Sequence, residues 1–576
     1  MKCVFNGLKA YIKELILIVF TVIGTTMCTL GLPLLLTRLI DKAIPEKNIS
    51  GVIAVAGFML VLVCIGVLCG VATSSLSAKV SMGVGRDLRS RLFAKVQSLS
   101  QTEIDKFSVS SLITRTNNDV SQIQKFLNQC LRIAIQAPIM CVCGIILAIT
   151  SCPELSAVLV VSVPVMALVL VMIGKIAVPL STKIQEKMDT LNLVLREKLT
   201  GVRVIRAFGT TQFESQRFEE INKDYRSINM KMQRTTNSVL PILTIVLSLT
   251  AALVMLMAAN QFNKGTAYTI GEVMAVIQYI MQIMASVIML TVVFIMLPRA
   301  ATAAARAQEV LTTDAVIKNP EKPVKAEGKK GYLTFKNVSF TYEGADVPAI
   351  RDLSFDAKPG EVTAIIGGTG MGKSTIVNLI PRLYDATEGQ VLIDGIDVRD
   401  YDIAELRDKI GFVPQKALLF EGTIESNIVF GDKNADEYRI EEAVKIAQSY
   451  DFIMKKDEGF EAPISQGGTN VSGGQRQRLC IARAVVRKPE IYVFDDSFSA
   501  LDFKTDKALR QALSKETGEA TTVIVAQRVS TIIDADRIIV VENGEVAGMG
   551  THRELVQSCE VYREIVRSQM GEEEVR

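Results

Sequence analysis

EVTAIIGGTGMGKST, Glu361 to Thr375, decides how the second half of this chain folds. Glu361–Ile366 is a β-branched, apolar run of the kind that forms a buried strand, and it leads directly into the glycine-rich turn. Gly367 to Ser374 then follow the spacing GxxxxGKS, with strand before and helix-forming residues after, which is the setting the motif requires. The glycines let backbone N–H groups at Gly367, Gly368, Thr369, Gly370 and Gly372 close on phosphate oxygens. The start of the following helix, with Thr375 in its first turn, adds its dipole. Lys373 is placed to reach the outer phosphates and Ser374 to ligate magnesium. ATP and Mg2+ are therefore the expected ligands.

Downstream, Ile491–Phe494 reads as a second buried strand and ends in Asp495, the position at which a phosphate-loop nucleotidase holds magnesium. Between the two lies VSGGQRQR, Val471 to Arg478, followed by a helical pattern over Leu479–Val486. Ser472 at a helix start and two glycines expose N–H groups suited to an anion. With Gln415 at a strand end in GFVPQ and SALD at Ser499–Asp502, this ordered set resembles the ABC ATPase domain. Six apolar runs precede it, so the resemblance extends over essentially the whole chain, to the half-transporter of ABC exporters.

The resemblance implies roles. Ser472, Gly473, Gly474 and Gln475 would meet the γ-phosphate of ATP held by a second subunit, Tyr342 would stack on adenine, and Gln415 would join Ser374 and Asp495 at the magnesium. It also exposes two departures. Family members that hydrolyse ATP well carry Glu where this chain has Asp496 and His where it has Gln527. Asp496 is one methylene short, and Gln527 cannot become a cation. With Lys373, these form the expected catalytic set, in a site that binds MgATP and hydrolyses it poorly. The implied partner is a different half-transporter carrying the Glu and His, as in heterodimeric bacterial multidrug exporters. A slow homodimer and a regulatory ATP-binding subunit of a peptide or lipid transporter are the competing readings.

The first three hundred residues belong to a different solvent. The chain is 49% apolar and only 6% aromatic, and the apolar residues gather in six runs. These are Leu15–Leu36, Val52–Val71, Ile133–Ile149, Ser156–Ile173, Val239–Ala259 and Val273–Leu297, each near the length that spans about 30 Å of hydrocarbon. Lys2, Lys9 and Lys13 ahead of the first run read as the flank of a retained signal anchor. The long connections Ala78–Arg132 and Lys175–Asn237 are rich in Lys and Arg, which places them and both termini in the cytoplasm; the resemblance implies a bacterial plasma membrane with the ATPase domain on its cytoplasmic side. The expected architecture is an α-helical membrane domain over residues 1–325 and an α/β P-loop ATPase domain over 326–576. Within the long connections, Ser108–Asn118 and Gly201–Gly209 are the segments expected to contact a cytoplasmic domain.

A formal charge of +3 with no basic stripe gives no support to a nucleic-acid partner. Ten cysteines without a CxxC pair imply neither a zinc site nor a disulfide framework. No Asp, Glu, Lys, Arg or His lies mid-span, which argues against ion-coupled transport. The last two spans carry Met255, Met257, Met274, Met281, Met284, Met289 and Met296 together with Gln278 and Gln282. Adaptable thioethers suit a tolerant cavity for amphipathic drugs or lipids, and equally suit lipid-facing or packing positions.

Overall fold

The computed structural model describes residues 2–263, 268–325 and 330–570. It forms two compact units, Met1–Gln97 with Val109–Thr313 and Ser98–Ser108 with Asp314–Arg576. The domain boundary expected at 325/326 abuts residues 326–329, which lie outside the described residues.

The first unit is helical. Among the described residues six stretches are long and apolar enough to cross a membrane: Asn6–Ala43, Ile49–Ser98, Val109–Ser151, Pro153–Thr200, Thr211–Asn260 and Ile270–Thr312. Each contains one expected span. Their principal helices are α1 (Ile12–Arg38), α2 (Ile49–Ser98), α4 (Val120–Ser151), α5 (Val158–Thr200), α7 (Thr211–Asn237), α8 (Val239–Asn263) and α9 (Ile270–Thr312). At about 1.5 Å per residue, the 50 residues of α2 far exceed the hydrocarbon thickness, so the helix runs on into water. Phe20, Leu60 and Val160 are exposed on these helices, as a lipid solvent permits.

Small residues let the helices approach. Ala300, Ala303, Ala304 and Ala307 are buried along one face of α9. Beside them Arg306 pairs with Asp119 and Arg115 with Glu309 at 2.6 Å. On α2, a Cβ at Gly85 would lie 1.9 Å from Gln124 Nε2, so only glycine admits that amide. Gln124 Oε1 in turn accepts from Arg89 at 3.0 Å. At the other end of the bundle, Asp41 accepts the backbone N–H of Gly271 at 2.8 Å and the hydroxyl of Thr269, tying the end of α1 to the start of α9.

The second unit is α/β. Among the described residues its strands are β1 (Leu333–Phe340), β2 (Ile350–Ala357), β3 (Val362–Gly367), β4 (Glu388–Ile393), β5 (Ile396–Asp397), β6 (Ile410–Val413), β7 (Gly422–Thr423), β8 (Pro463–Ile464), β9 (Ile491–Asp495), β10 (Thr521–Val525), β11 (Arg537–Glu542) and β12 (Glu545–Gly550). The main sheet runs β12-β11-β3-β10-β9-β6, parallel throughout except for the antiparallel edge strand β12. A smaller antiparallel sheet, β2-β1-β4-β5, packs through Phe335, Phe355, Ile393 and neighbours in one apolar cluster with Ile365 and Val523 of the main sheet. Strands β9 and β10 are buried at every position, which is why they read as continuous apolar runs.

Residues 98–108 belong to this second unit, although they interrupt the membrane helices in sequence. Ser100 and Glu103 form a capping box that starts α3 (Gln101–Phe107), and Ser108, at φ 62°, ends it. Tyr384 donates to Asp105 Oδ2 at 2.6 Å, Val316 N donates to Glu103 Oε1 at 3.2 Å, and Phe107 is buried. Gln101–Phe107 therefore packs as part of the ATPase unit. Ser108–Asn118, expected to contact a cytoplasmic domain, is helical from Val109 onward and continues into α4. The second expected segment holds a short helix, α6 (Val202–Ala207), whose tip leaves Val204 and Phe208 exposed on the first unit.

Candidate nucleotide-binding site

Strands β3, β10 and β9 are neighbours, and their carboxyl ends carry Gly367–Gly372, Gln527 and Asp495–Asp496 respectively. In an open parallel sheet this edge is where a ligand sits. The topology thus assembles residues that lie far apart in sequence.

The loop after β3 needs its glycines. Gly370 and Gly372 have φ of 82° and 87°, and a Cβ at Gly372 would stand 2.5 Å from the carbonyl oxygen of Ala349. Lys373 begins helix α10 (Lys373–Leu379) and folds back, donating to the carbonyls of Gly367 at 2.8 Å and Gly368 at 2.6 Å. Its ammonium is buried, and desolvation pulls its pKa below the ordinary lysine value, against the attraction of Asp496 and Asp495.

Ser374 donates to Asp495 Oδ1 at 3.1 Å, bringing together two of the three oxygen donors expected at magnesium. Two protein oxygens beside a phosphate cradle match magnesium, which keeps most of its other positions for water and phosphate. Burial raises the Asp495 carboxyl above the usual carboxylate range, and the Ser374 hydrogen bond opposes this. A cationic ligand would relieve that cost, so the residues present fit MgATP.

Asp496 is the most constrained residue of the site. Its φ is 48°, and its N–H donates to Val525 O at 3.0 Å. Its carbonyl accepts from Gln477 Nε2 at 3.2 Å and Ser499 Oγ at 3.1 Å. Gln527 Nε2 donates to its Oδ2 at 2.9 Å, and burial raises its pKa against a hydrogen bond from Gln415. The structure therefore brings Asp496 and Gln527 together. Gln415, expected at magnesium, hydrogen-bonds Asp496, the neighbour of Asp495.

Tyr342 lies two residues beyond β1, with its hydroxyl 2.9 Å from Thr375 Oγ1 and its ring edge-on to Phe340 and Tyr384. Ser472 caps helix α12 (Gly473–Val485) by accepting from Gln475 N at 3.3 Å, while Gln475 Oε1 accepts from Ser472 N at 3.0 Å. Among the hydrogen bonds of the described residues, none links Ser472–Gln475 to Gly367–Thr375.

Two contributors escaped the sequence reading. Gln477 is buried and bridges the Asp496 carbonyl and the Ala500 N–H. Its signal was positional, because it begins the buried stripe that continues at Cys480, Ile481 and Ala484 of α12. Tyr384, which links the aromatic group at Tyr342 to α3, carried no local signal at all.

In the membrane unit a cavity of about 730 Å³ is lined by Leu32 and Leu36 of α1, Met59, Leu60, Val63 and Cys64 of α2, and Gln278, Met281 and Gln282 of α9. Of the residues singled out in the last two spans, these two glutamines and one methionine line it.

Known proteins place this arrangement. Residues 15–287 match the model of the ABC transporter transmembrane region, and residues 350–499 match that of the ABC transporter. An uncharacterized ABC transporter ATP-binding protein of Mycobacterium tuberculosis is 38% identical over 98% of this chain and 97% of its own length. The ATP-dependent lipid A-core flippase of Mannheimia succiniciproducens is 32% identical over 94% of this chain and 92% of its own. A bacterial Atm1-family ABC exporter solved with ATP bound superposes with a TM-score of 0.78 at 25% identity, covering 98% of this chain and 99% of that one. With its six apolar helices and its phosphate loop on a parallel sheet, the chain belongs to the ABC transporter family and has the fold of an ABC exporter half-transporter.

Proposed function

We propose that this chain is one half of a heterodimeric ABC exporter, and that its own phosphate loop forms the slower of two ATP sites. The observation that carries this reading is Asp496, a short carboxylate held by Gln527 where the family's efficient hydrolases place Glu and His. The phosphate cradle, Lys373, Ser374 and Asp495 are all in place for binding.

In this reading backbone N–H groups of Gly367–Gly372 and the Lys373 ammonium take the phosphates. Ser374, Gln415 and Asp495 hold Mg2+, and Tyr342 stacks on adenine. ATP supplies binding energy that favours the closed pair of ATPase domains. Ser472–Gln475, unconnected to this chain's own loop, completes the ATP site of the second chain, where most hydrolysis takes place. The helices of residues 1–325 then switch their cavity from inward to outward access, with residues 326–576 on the cytoplasmic side of a bacterial membrane.

Cargo is an amphipathic small molecule, a drug or a lipid. The large apolar cavity with two amides supports this, as does the likeness to a protein named as a lipid A-core flippase. The test is the identity of retained nucleotide. After incubation with MgATP and rapid desalting, the lipid-embedded chain paired with its partner should keep unhydrolysed ATP in this site. Retention of ADP alone would overturn the proposal.

A further inference from the structure

A cavity of about 450 Å³ lies in the ATPase unit, outside the nucleotide site, between the main sheet, helix α13 (Phe503–Glu516), helix α14 (Val529–Ile532) and the end of helix α15 (Glu560–Met570). Its volume falls within the roughly 300–1,000 Å³ range of small-molecule sites. Phe494 and Phe498, with ring centroids 5.5 Å apart, line it together with Leu513 and Ile524.

The polar groups at this cavity are unsatisfied. Thr522 is 4% exposed, and its Oγ1 has no hydrogen-bond partner. Arg510 spends Nη1 on Thr531 O at 3.3 Å and Nη2 on Asp506 Oδ2 at 3.1 Å, and its buried Nε is unpartnered. A buried polar group left unmet is destabilising, so each favours a ligand that satisfies it. Arg510 Nε calls for an acceptor, and the Thr522 hydroxyl, which can accept as well as donate, can take a donor. A carboxamide offers both. An anion is disfavoured, because Arg510 is already paired with Asp506 and the exposed Lys507 and Asp534 at the cavity offset one another.

We infer that this cavity is a binding site for an uncharged aromatic carboxamide, its ring among Phe494, Phe498 and Ile524 and its amide at Arg510 and Thr522. The site lies against α13, capped by Asp502, and α14, which follows Gln527, so the ligand touches elements that frame the ATP site.

The test is a titration of the full chain in lipid nanodiscs with 2-naphthamide, followed by calorimetry, with 2-naphthoate and naphthalene as comparators. Saturable one-to-one binding is expected. Thr522→Val, which keeps the volume and removes a hydroxyl bonded to nothing, should weaken it about tenfold, and Arg510→Lys should do likewise. Ser514→Phe, at the cavity wall, should abolish it, and 2-naphthoate should bind at least about tenfold less tightly than the amide. The inference is overturned by absence of saturable binding, which would mean the cavity holds water only. It is equally overturned by binding that these variants leave unchanged, or by naphthoate binding as well as the amide.

Discussion

Substituting Asp496→Glu together with Gln527→His should convert this site from slow to fast. The backbone of Asp496 is pinned by Val525, Gln477 and Ser499, so an added methylene cannot be absorbed by retreat of the chain. It carries the carboxylate about 1.5 Å further toward the phosphate cradle. Because misplacement by about 1 Å costs on the order of a hundredfold, turnover should rise by about that factor. The His supplies the cationic donor that the Gln527 amide lacks. MgATP affinity should hardly change, since Gly367–Gly372, Lys373, Ser374 and Asp495 are untouched. The assay is phosphate release by the chain in lipid nanodiscs, beside nucleotide binding on the same preparation. Unchanged turnover with intact binding would refute the reasoning and place the defect elsewhere.

Gly372→Ala should destroy nucleotide binding, because the new Cβ meets the Ala349 carbonyl and φ is 87°; a measured ATP affinity equal to wild type would contradict this. Tyr384→Phe removes the hydrogen bond to Asp105 and should loosen residues 101–107 by about 1 kcal/mol, read as faster amide exchange in α3. Burial raises the pKa of both Asp495 and Asp496, so the folded, nucleotide-free unit binds protons more tightly than the unfolded chain. Its stability should therefore fall as pH rises from the ordinary carboxylate value, about 4, through the raised values, and Asp495→Asn with Asp496→Asn should flatten that slope in denaturant titrations. An unaltered slope would show that other groups set the pH dependence.

The six spans were legible because a membrane solvent demands long apolar runs, and each predicted run lies inside one observed helix. The strands leading to Gly367 and Asp495 were legible for a related reason, since burial on both faces leaves a continuous β-branched signature. What the sequence did not show depends on topology. Nothing local reveals that β10 pairs between β3 and β9 and so delivers Gln527 to Asp496. Nor does anything local reveal that QTEIDKF belongs with the ATPase unit, because its attachment rests on Tyr384 and Val316, more than two hundred residues away. Gln477 shows the same limit, as a polar residue whose partner is a main-chain carbonyl brought in by another element.

The measurement that bears most directly on the proposed asymmetry is magnesium-dependent ATPase activity in lipid, for this chain alone and co-purified with a second half-transporter that carries the Glu and His. Slow turnover alone and fast turnover in the mixture is the predicted result, with the fast component lost when Ser472→Ala or Gly473→Val is introduced in this chain. Fast turnover by this chain alone would show that Asp496 suffices as it stands, and would contradict the heterodimer.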